Sequence, residues 1–524
     1  MSVKLRIQLK HSYTVIPVTA TKVGVAPGCT RGLESRELII FRIVGAAGLC
    51  LIAQLATSTH TLAALLLTAA VVCGLFAVSA AGGVATVAGL LSAVILTRYL
   101  LVAIVVKTLT WKPTDDTLQA PLHTPAVMAL GFFGLLLGVL VQRSLPKPSP
   151  SPIPDPSGTR MYLAVTLVLF VLGYGGYFLI GESGDYQGTG GIFGIAHAVA
   201  QLKSFAIVPA MFYVWAKGSR RFLTHPLVLS VLSAGVIIGA LTTSKQNAME
   251  PLVFLLVVYA MRYGIRDKRL IAMSLAALLY YAAIIYPYAQ YSRGNGGREG
   301  DFLTRLAAAK NIFWLMLTDP NYRSEAEASD EDPLRSSYFD SERLEPFNRL
   351  AMIGEADRLI YATDAQQAFT GWETIGWGFE RMLPRFINPN KPVFGAANFL
   401  AQITGDTGLG DLTTQVSFGV MANFYNAYGL TGVFVGSFGF FAAFFYCIRF
   451  WFGDTRVGGL TQGGSLWALL VVANLHHSLV EESFAGLLPS MELPIVVLAI
   501  YLLAKVTAGI LPASSDKQVF ASAR

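Results

Sequence analysis

The chain has 524 residues, of which 54% are hydrophobic and only 14% charged, with a mean hydropathy of +0.54. Soluble domains carry roughly 25% charged residues, so a soluble globular chain is excluded, and the short alternating strands of a membrane β-barrel are absent. The net charge of +7 does not point to nucleic acid, because the basic excess gathers at the N-terminus and in short loops, where it sets membrane topology. The expectation is an all-α polytopic membrane protein.

Lys4, Arg6, Lys10 and Lys22 precede a polar, Gly/Pro-containing stretch, and the first long apolar run starts near Leu38. This pattern has no cleavable signal and reads as a cytoplasmic segment over 1–37 followed by an uncleaved anchor. Apolar runs suited to crossing a core of about 30 Å then recur at 38–56, 61–81, 84–106, 124–142, 160–181, 189–216, 226–243, 249–262 and 269–288, of which 249–262 is short and needs extension at either end. Three more follow at 430–452, 465–488 and 491–510, for about twelve spans. They divide into a bundle over 38–288 and C-terminal helices over 415–510. Basic loops at Lys217–Arg221, Arg262–Arg269 and Arg449–Arg456, with the Pro-rich tract Arg143–Pro156, fall on the side of the N-terminus. That side, with the tail 511–524, is then cytoplasmic. The cysteines Cys29, Cys50, Cys73 and Cys447 have no pairing or metal spacing and read as packing residues.

The same count puts 289–414 outside the membrane as one large extracytoplasmic loop, and loops of that length are often functional. Apolar spacing predicts amphipathic helices over Asp301–Leu317 and Arg349–Tyr361, lying on the membrane or packed over a cavity. The acidic run Ser324–Glu342 between them reads as a solvated tip. The loop opens on Arg293-Gly-Asn-Gly-Gly-Arg298, where the glycines let the backbone approach a ligand closely. It contains RMLPRFINPNKPVF, in which Arg381, Arg385 and Lys391 are separated by the stiffening Pro384, Pro389 and Pro392. Lys245, in a short turn on the same side, runs against the positive-inside trend. These cations suit a lipid-linked phosphate, which arginine grips with two parallel hydrogen bonds. Contact with lipid headgroups is the other reading.

Ionisable residues also occur inside the apolar runs: Arg98, Lys203, His476, His477, Glu481 and Glu482. At depth such groups face a bundle interior or a wet cavity. They form either an ion-pair network or a proton-transfer pair.

The order of many spans, a large outer loop ending in LPRFINPNKPVFGAANF, and then TTQVSFGVMANFYNAYGLTGVFVG resembles Wzy-type oligosaccharide repeat-unit polymerases of O-antigen and exopolysaccharide assembly. The matching motifs are Pro384-Arg385 to Pro389-Asn-Lys391-Pro392, Tyr425-Asn426-Ala-Tyr-Gly429-Leu-Thr-Gly432, and the turn Ser244-Lys245. The resemblance implies a C-type membrane glycosyltransferase fold in the bacterial inner membrane, with both termini cytoplasmic. It implies transfer of a growing glycan from undecaprenyl diphosphate to another lipid-linked repeat unit, without metal or cofactor. Arg385, Arg293, Glu481 and His477 are then the expected catalytic residues. Lys245, Arg298, Lys391, Arg381 and Asn426 are expected to hold diphosphate and glycan. Charge develops on the leaving diphosphate, which fixed cations stabilise, and a carboxylate or imidazole takes the acceptor proton. Glu299, Glu355 and Asp357 are further candidates for that base. Membrane lipid, a flippase and a chain-length regulator are the expected partners, and nucleic acid is not. Two alternatives stay open: a transporter or flippase for an anionic or lipid-linked solute, and the related O-antigen ligase, whose histidine lies in the outer loop.

Overall fold

The computed structural model describes residues 51–146, 150–183, 202–219, 223–241, 245–263, 267–294, 302–319, 350–382, 396–408, 416–454 and 466–511, with a few isolated positions besides. Ala47–Ser514 is one compact unit, and nearly all of the other unit, Met1–Ala46 with Ser515–Arg524, falls outside the described residues. No β-strand occurs among the described residues. This is the outcome an apolar chain requires, since a helix satisfies its own backbone where no water is present.

Among the described residues, seven helices are long and apolar enough to cross a membrane, as in a polytopic membrane protein. They are α1 (Thr61–Ala80), α2 (Val87–Leu109), α3 (His123–Ser144), α4 (Thr159–Ser183, apolar over Thr159–Gly176), α8 (Lys268–Ala289), α13 (Val420–Phe452) and α15 (Phe484–Ile510). Four shorter apolar helices pack among them: α5 (Lys203–Ala216), α6 (Pro226–Leu241), α7 (Lys245–Tyr263) and α14 (Leu466–Glu481). The expected run 38–56 is described mainly from Leu51, and the first part of 189–216 lies outside the described residues.

Loop contacts define two ends of the bundle. At one end Arg143 donates to the Ala80 carbonyl, Arg449 donates to the Gln142 carbonyl at 2.6 Å, and the Trp467 indole donates to the Pro154 carbonyl at 2.9 Å. The Pro-rich tract is therefore a strap across three helix ends, with the Ile153 amide bonded to the Trp451 carbonyl at 3.2 Å. At the other end sit the 110–122 loop and the described parts of the large segment. Tyr338 donates to the Thr114 carbonyl at 2.9 Å, and Thr117 donates to the Tyr338 carbonyl at 2.8 Å. α4 rises from the strap and packs Gly173 against Lys203, so α5 and α7 both begin towards the large-segment end.

The large segment contributes α9 (Phe302–Thr318), α10 (Met352–Gln366), α11 (Glu373–Met382) and α12 (Ala396–Thr404). The helix expected over 301–317 is α9. The one expected over 349–361 begins at Met352 and runs to Gln366, ending where Gln367 turns left-handed at φ 52°. Of the two placements open for this helix, α10 packs into the bundle: Ile353, Ala356, Leu359 and Ile360 are fully buried, and it touches α3, α12, α13 and the middle of α2. Asp357 pins it there, accepting hydrogen bonds from the Gln119 amide at 2.6 Å, the Ala120 amide at 3.0 Å and the Thr124 hydroxyl at 2.7 Å.

α13 is not one rod. Tyr428 (φ −144°, ψ 26°) and Gly429 (φ 62°, ψ −152°) break it into arms at 420–427 and 430–452. A straight helix puts Phe424 and Gly432 about 12 Å apart. Here the Phe424 carbonyl faces Gly432 so closely that a Cβ there would lie 2.4 Å from the oxygen, and the Phe424 ring covers Gly436. The chain therefore folds back as a helical hairpin. Its first arm runs from Met421, packed on Gly131, up to Tyr425 beside His123 at the large-segment end. Its second arm descends along α3 to the strap. The Tyr-Asn-x-x-Gly-x-x-Gly motif is the turn of this hairpin. Gly429 supplies the left-handed backbone that side-chain-bearing residues disfavour.

Candidate functional site

A π-helical turn, Thr97–Leu101, interrupts α2 midway, and its Arg98 lies eleven residues or about 16 Å from either end. Such turns recur at functional sites. This one sends two consecutive side chains to the C-terminal end of α14. Tyr99 donates to the Val480 carbonyl at 3.0 Å, and Arg98 forms an ion pair with Glu481. Glu481 also holds His477 Nδ1 at 3.0 Å, one turn back on the same helix face. With Nδ1–H given to the carboxylate, the His477 lone pair sits on Nε2. Both Arg98 and Glu481 side chains are about 15% exposed, so the pair is largely desolvated.

The first arm of the hairpin closes the site from one side. The Gly419 amide donates to the Glu481 carbonyl at 3.3 Å, and Ser417 Oγ lies 3.5 Å from the Glu481 carboxylate. Asn423 accepts from the Phe484 amide at 3.0 Å and donates to Thr374 at 3.2 Å, tying hairpin, α15 and α11 together.

The large segment closes it from another side. α11 packs Gly378 against Phe484 and Ala485. This brings Arg381, the first residue of the cationic RMLPRFINPNKPVF stretch, within electrostatic reach of Glu482. Burial pushes the Arg381 guanidinium below its ordinary value, and Glu482 partly offsets that. The group stays charged at neutral pH.

Of the residues expected from sequence, Glu481, His477 and Arg381 therefore meet at one place. Asn426 does not join them. It is buried at the hairpin turn, donating to Thr363 Oγ1 and the Ala368 carbonyl at 2.9 Å each and accepting from Thr370 at 2.8 Å. Its role is to hold the turn against the large segment. Arg293 lies on the helix Tyr286–Gly294, and Lys245 is the first residue of α7; their side chains, and all of Arg298, Arg385 and Lys391, lie outside the described residues. Two of the alternative bases are committed elsewhere: Asp357 to the 119–124 backbone and Thr124, and Glu355 to Arg358 at 3.1 Å. Glu299 lies outside the described residues.

Four features escaped the sequence. Tyr99 and Gly419 carry no compositional signal. Glu250, on α7, interacts electrostatically with Lys203 and with His476; as an acid within an apolar run it was detectable. His123 Nδ1 sits 2.5 Å from Asp364, which also accepts from Tyr425 at 2.7 Å, joining α3, α10 and the hairpin at the exposed end.

The anchoring by Asp357 has a pH signature. Burial raises its pKa, against the opposing hydrogen bonds from Thr124, Gln119 and Ala120. The folded state then binds a proton more tightly than the unfolded one. The stability from this group is full below the ordinary carboxylate value of about 4 and is lost as pH rises through the folded value. Thermal unfolding in detergent should show this downward slope in the wild type, and Asp357→Asn should remove it.

No protein-family model, no curated protein and no solved structure matches this chain.

Proposed function

We propose that the chain is a membrane glycosyltransferase of the Wzy-type polymerase kind. On this reading it joins lipid-linked oligosaccharide repeat units at the outer face of the bacterial inner membrane, with about twelve spans and both termini cytoplasmic. The observation that carries the reading is the insertion of the large segment into the bundle. α11 delivers Arg381 to Glu482, beside a histidine–glutamate–arginine group on α14 and α2. A cation of the large segment, Arg381, stands near a histidine–glutamate pair at mid-bundle depth, which suits transfer from a lipid diphosphate.

His477, oriented by Glu481, takes the proton of the acceptor hydroxyl on Nε2. Arg98, ion-paired with Glu481, holds that carboxylate in place. Arg381, with Arg385, Arg293, Arg298, Lys245 and Lys391, bears the charge that develops on the leaving undecaprenyl diphosphate. Their fixed positive charge replaces a metal ion.

The test is incubation of purified, detergent-solubilised protein with undecaprenyl-diphosphate oligosaccharide, in chelator and without a membrane potential. A ladder of longer lipid-linked products is the expected result. No product, with substrate movement in sealed vesicles, would decide for the transporter, the reading favoured by the mid-bundle Lys203, Glu250 and His476. Arg381→Ala should cost about 2–4 kcal/mol in the transition state, read as kcat/KM. Arg385→Lys should fail nearly as badly as Arg385→Ala, because a point charge does not replace a planar fork. For orientation, a cysteine at Ala365, exposed on α10, should react with an impermeant thiol reagent on intact cells. A cysteine at Ser219 should react only after lysis; the reverse pattern would invert the topology.

A further inference from the structure

The mechanism above leaves Lys203, Glu250 and His476 without a role. Lys203 is buried at the start of α5, with Gly173 pressed against its backbone. Glu250 interacts electrostatically with both Lys203 and His476. His476 gives Nδ1–H to the Ala473 carbonyl at 2.7 Å, which leaves its lone pair on Nε2. Its ring centroid lies 6.5 Å from that of His477. Among the described residues, the charged and titratable groups that act on His476 are His477 on its own helix and Glu250 on α7, which also acts on Lys203. Three ionisable groups inside an apolar bundle are costly and mark a pathway more often than packing. Glu250 is only partly buried and lies five residues after Lys245, about 7.5 Å along α7 from its first residue. It stands between His476 and the large-segment end.

We propose that His476 and Glu250 are a proton relay that resets His477 after each transfer, with the Lys203 ammonium placed to offset the Glu250 charge. The proposal rests on the polymerase reading. In each transfer the acceptor O–H bond breaks and a bond from that oxygen to the donor anomeric carbon forms. The bond from that carbon to the phosphate oxygen breaks, and the lipid diphosphate leaves with the electron pair. The acceptor proton is then on His477 Nε2. Without an outlet, His477 starts the next turnover protonated and cannot act as base. The proton passes through bridging water to His476 Nε2, on a ring whose centroid is 6.5 Å from that of His477, then to the Glu250 carboxylate, and from there to water at the large-segment end. His476 and Glu250 act through His477 and touch no substrate.

The experiment compares wild type, Glu250→Gln and His476→Gln in the ladder assay, with thermal stability measured in parallel. Expected for both variants is a fall in kcat of at least about tenfold with the KM for lipid-linked substrate unchanged. Added imidazole should restore the rate by carrying the proton in their place. Wild-type rates in both variants would overturn the relay. Equally fatal is a loss that imidazole does not restore in a variant of wild-type stability, since that is the signature of a structural role. A second readout does not depend on turnover. The infrared carboxylate band lost in Glu250→Gln should titrate together with the imidazole bands and shift in His476→Gln. An independent titration overturns the relay even if one variant fails to fold. Wild-type product formation judges the polymerase reading separately.

Discussion

Replacing Glu481 by alanine is expected to destabilise the protein by about 3–5 kcal/mol and to abolish turnover. Glu481 neutralises Arg98 and orients His477, and it does both where water is largely excluded. Removing it leaves the Arg98 guanidinium facing α14 without that carboxylate, at the centre of an apolar bundle, and it frees the imidazole to rotate. Unfolding in detergent, followed by helix content, reads the first effect. The double variant Arg98→Met/Glu481→Leu separates the two. Apolar replacement of both partners removes the desolvation cost along with the attraction, so most of the stability should return while activity stays absent. Full stability in Glu481→Ala would mean that the ion pair does not hold α2 to α14.

Gly419→Ala is expected to be nearly as damaging, although it adds one methyl group. Gly419 has φ +78°, and a Cβ there would lie 1.8 Å from the Tyr99 hydroxyl and 2.7 Å from the Val480 carbonyl. Left-handed backbone costs an L-residue about 1–2 kcal/mol, and forced overpacking typically adds 1–3 kcal/mol. Neither neighbour can yield cheaply, because Tyr99 is fully buried and donates to that same carbonyl. The relief available is to push α2 away from α14, which parts Arg98 from Glu481. A lowered melting temperature together with a fall in kcat larger than that of an exposed substitution is the outcome to look for. Unchanged activity would remove the hairpin arm from the site. Gly439→Ala is the control, because a Cβ at that position meets nothing within 4 Å.

What the sequence determined by itself is what depends on local composition. An apolar chain must be helical wherever it avoids water, and the limits of α1, α3, α6 and the second arm of α13 could be read from hydropathy within a few residues. The cost of buried charge also marked Arg98, His477 and Glu481 as unusual, and the density of Arg and Pro marked the stretch beginning at Arg381. The tertiary structure alone decided how these features meet. The amphipathic spacing of α10 favoured a place along the membrane interface, yet the helix packs into the bundle; the choice came from Asp357, whose partners lie more than two hundred residues earlier. The Gly429 and Gly432 spacing was visible as a motif, yet nothing in it distinguishes a kink from a hairpin. That depended on Phe424 finding Gly432 and Gly436 as its neighbours. Glu250 carried a local signal, but its partners, Lys203 and His476, sit on helices remote in the chain. Local rules see the cost of placing an ionisable group in an apolar helix. Only the packing of one helix against another shows which group offsets that cost.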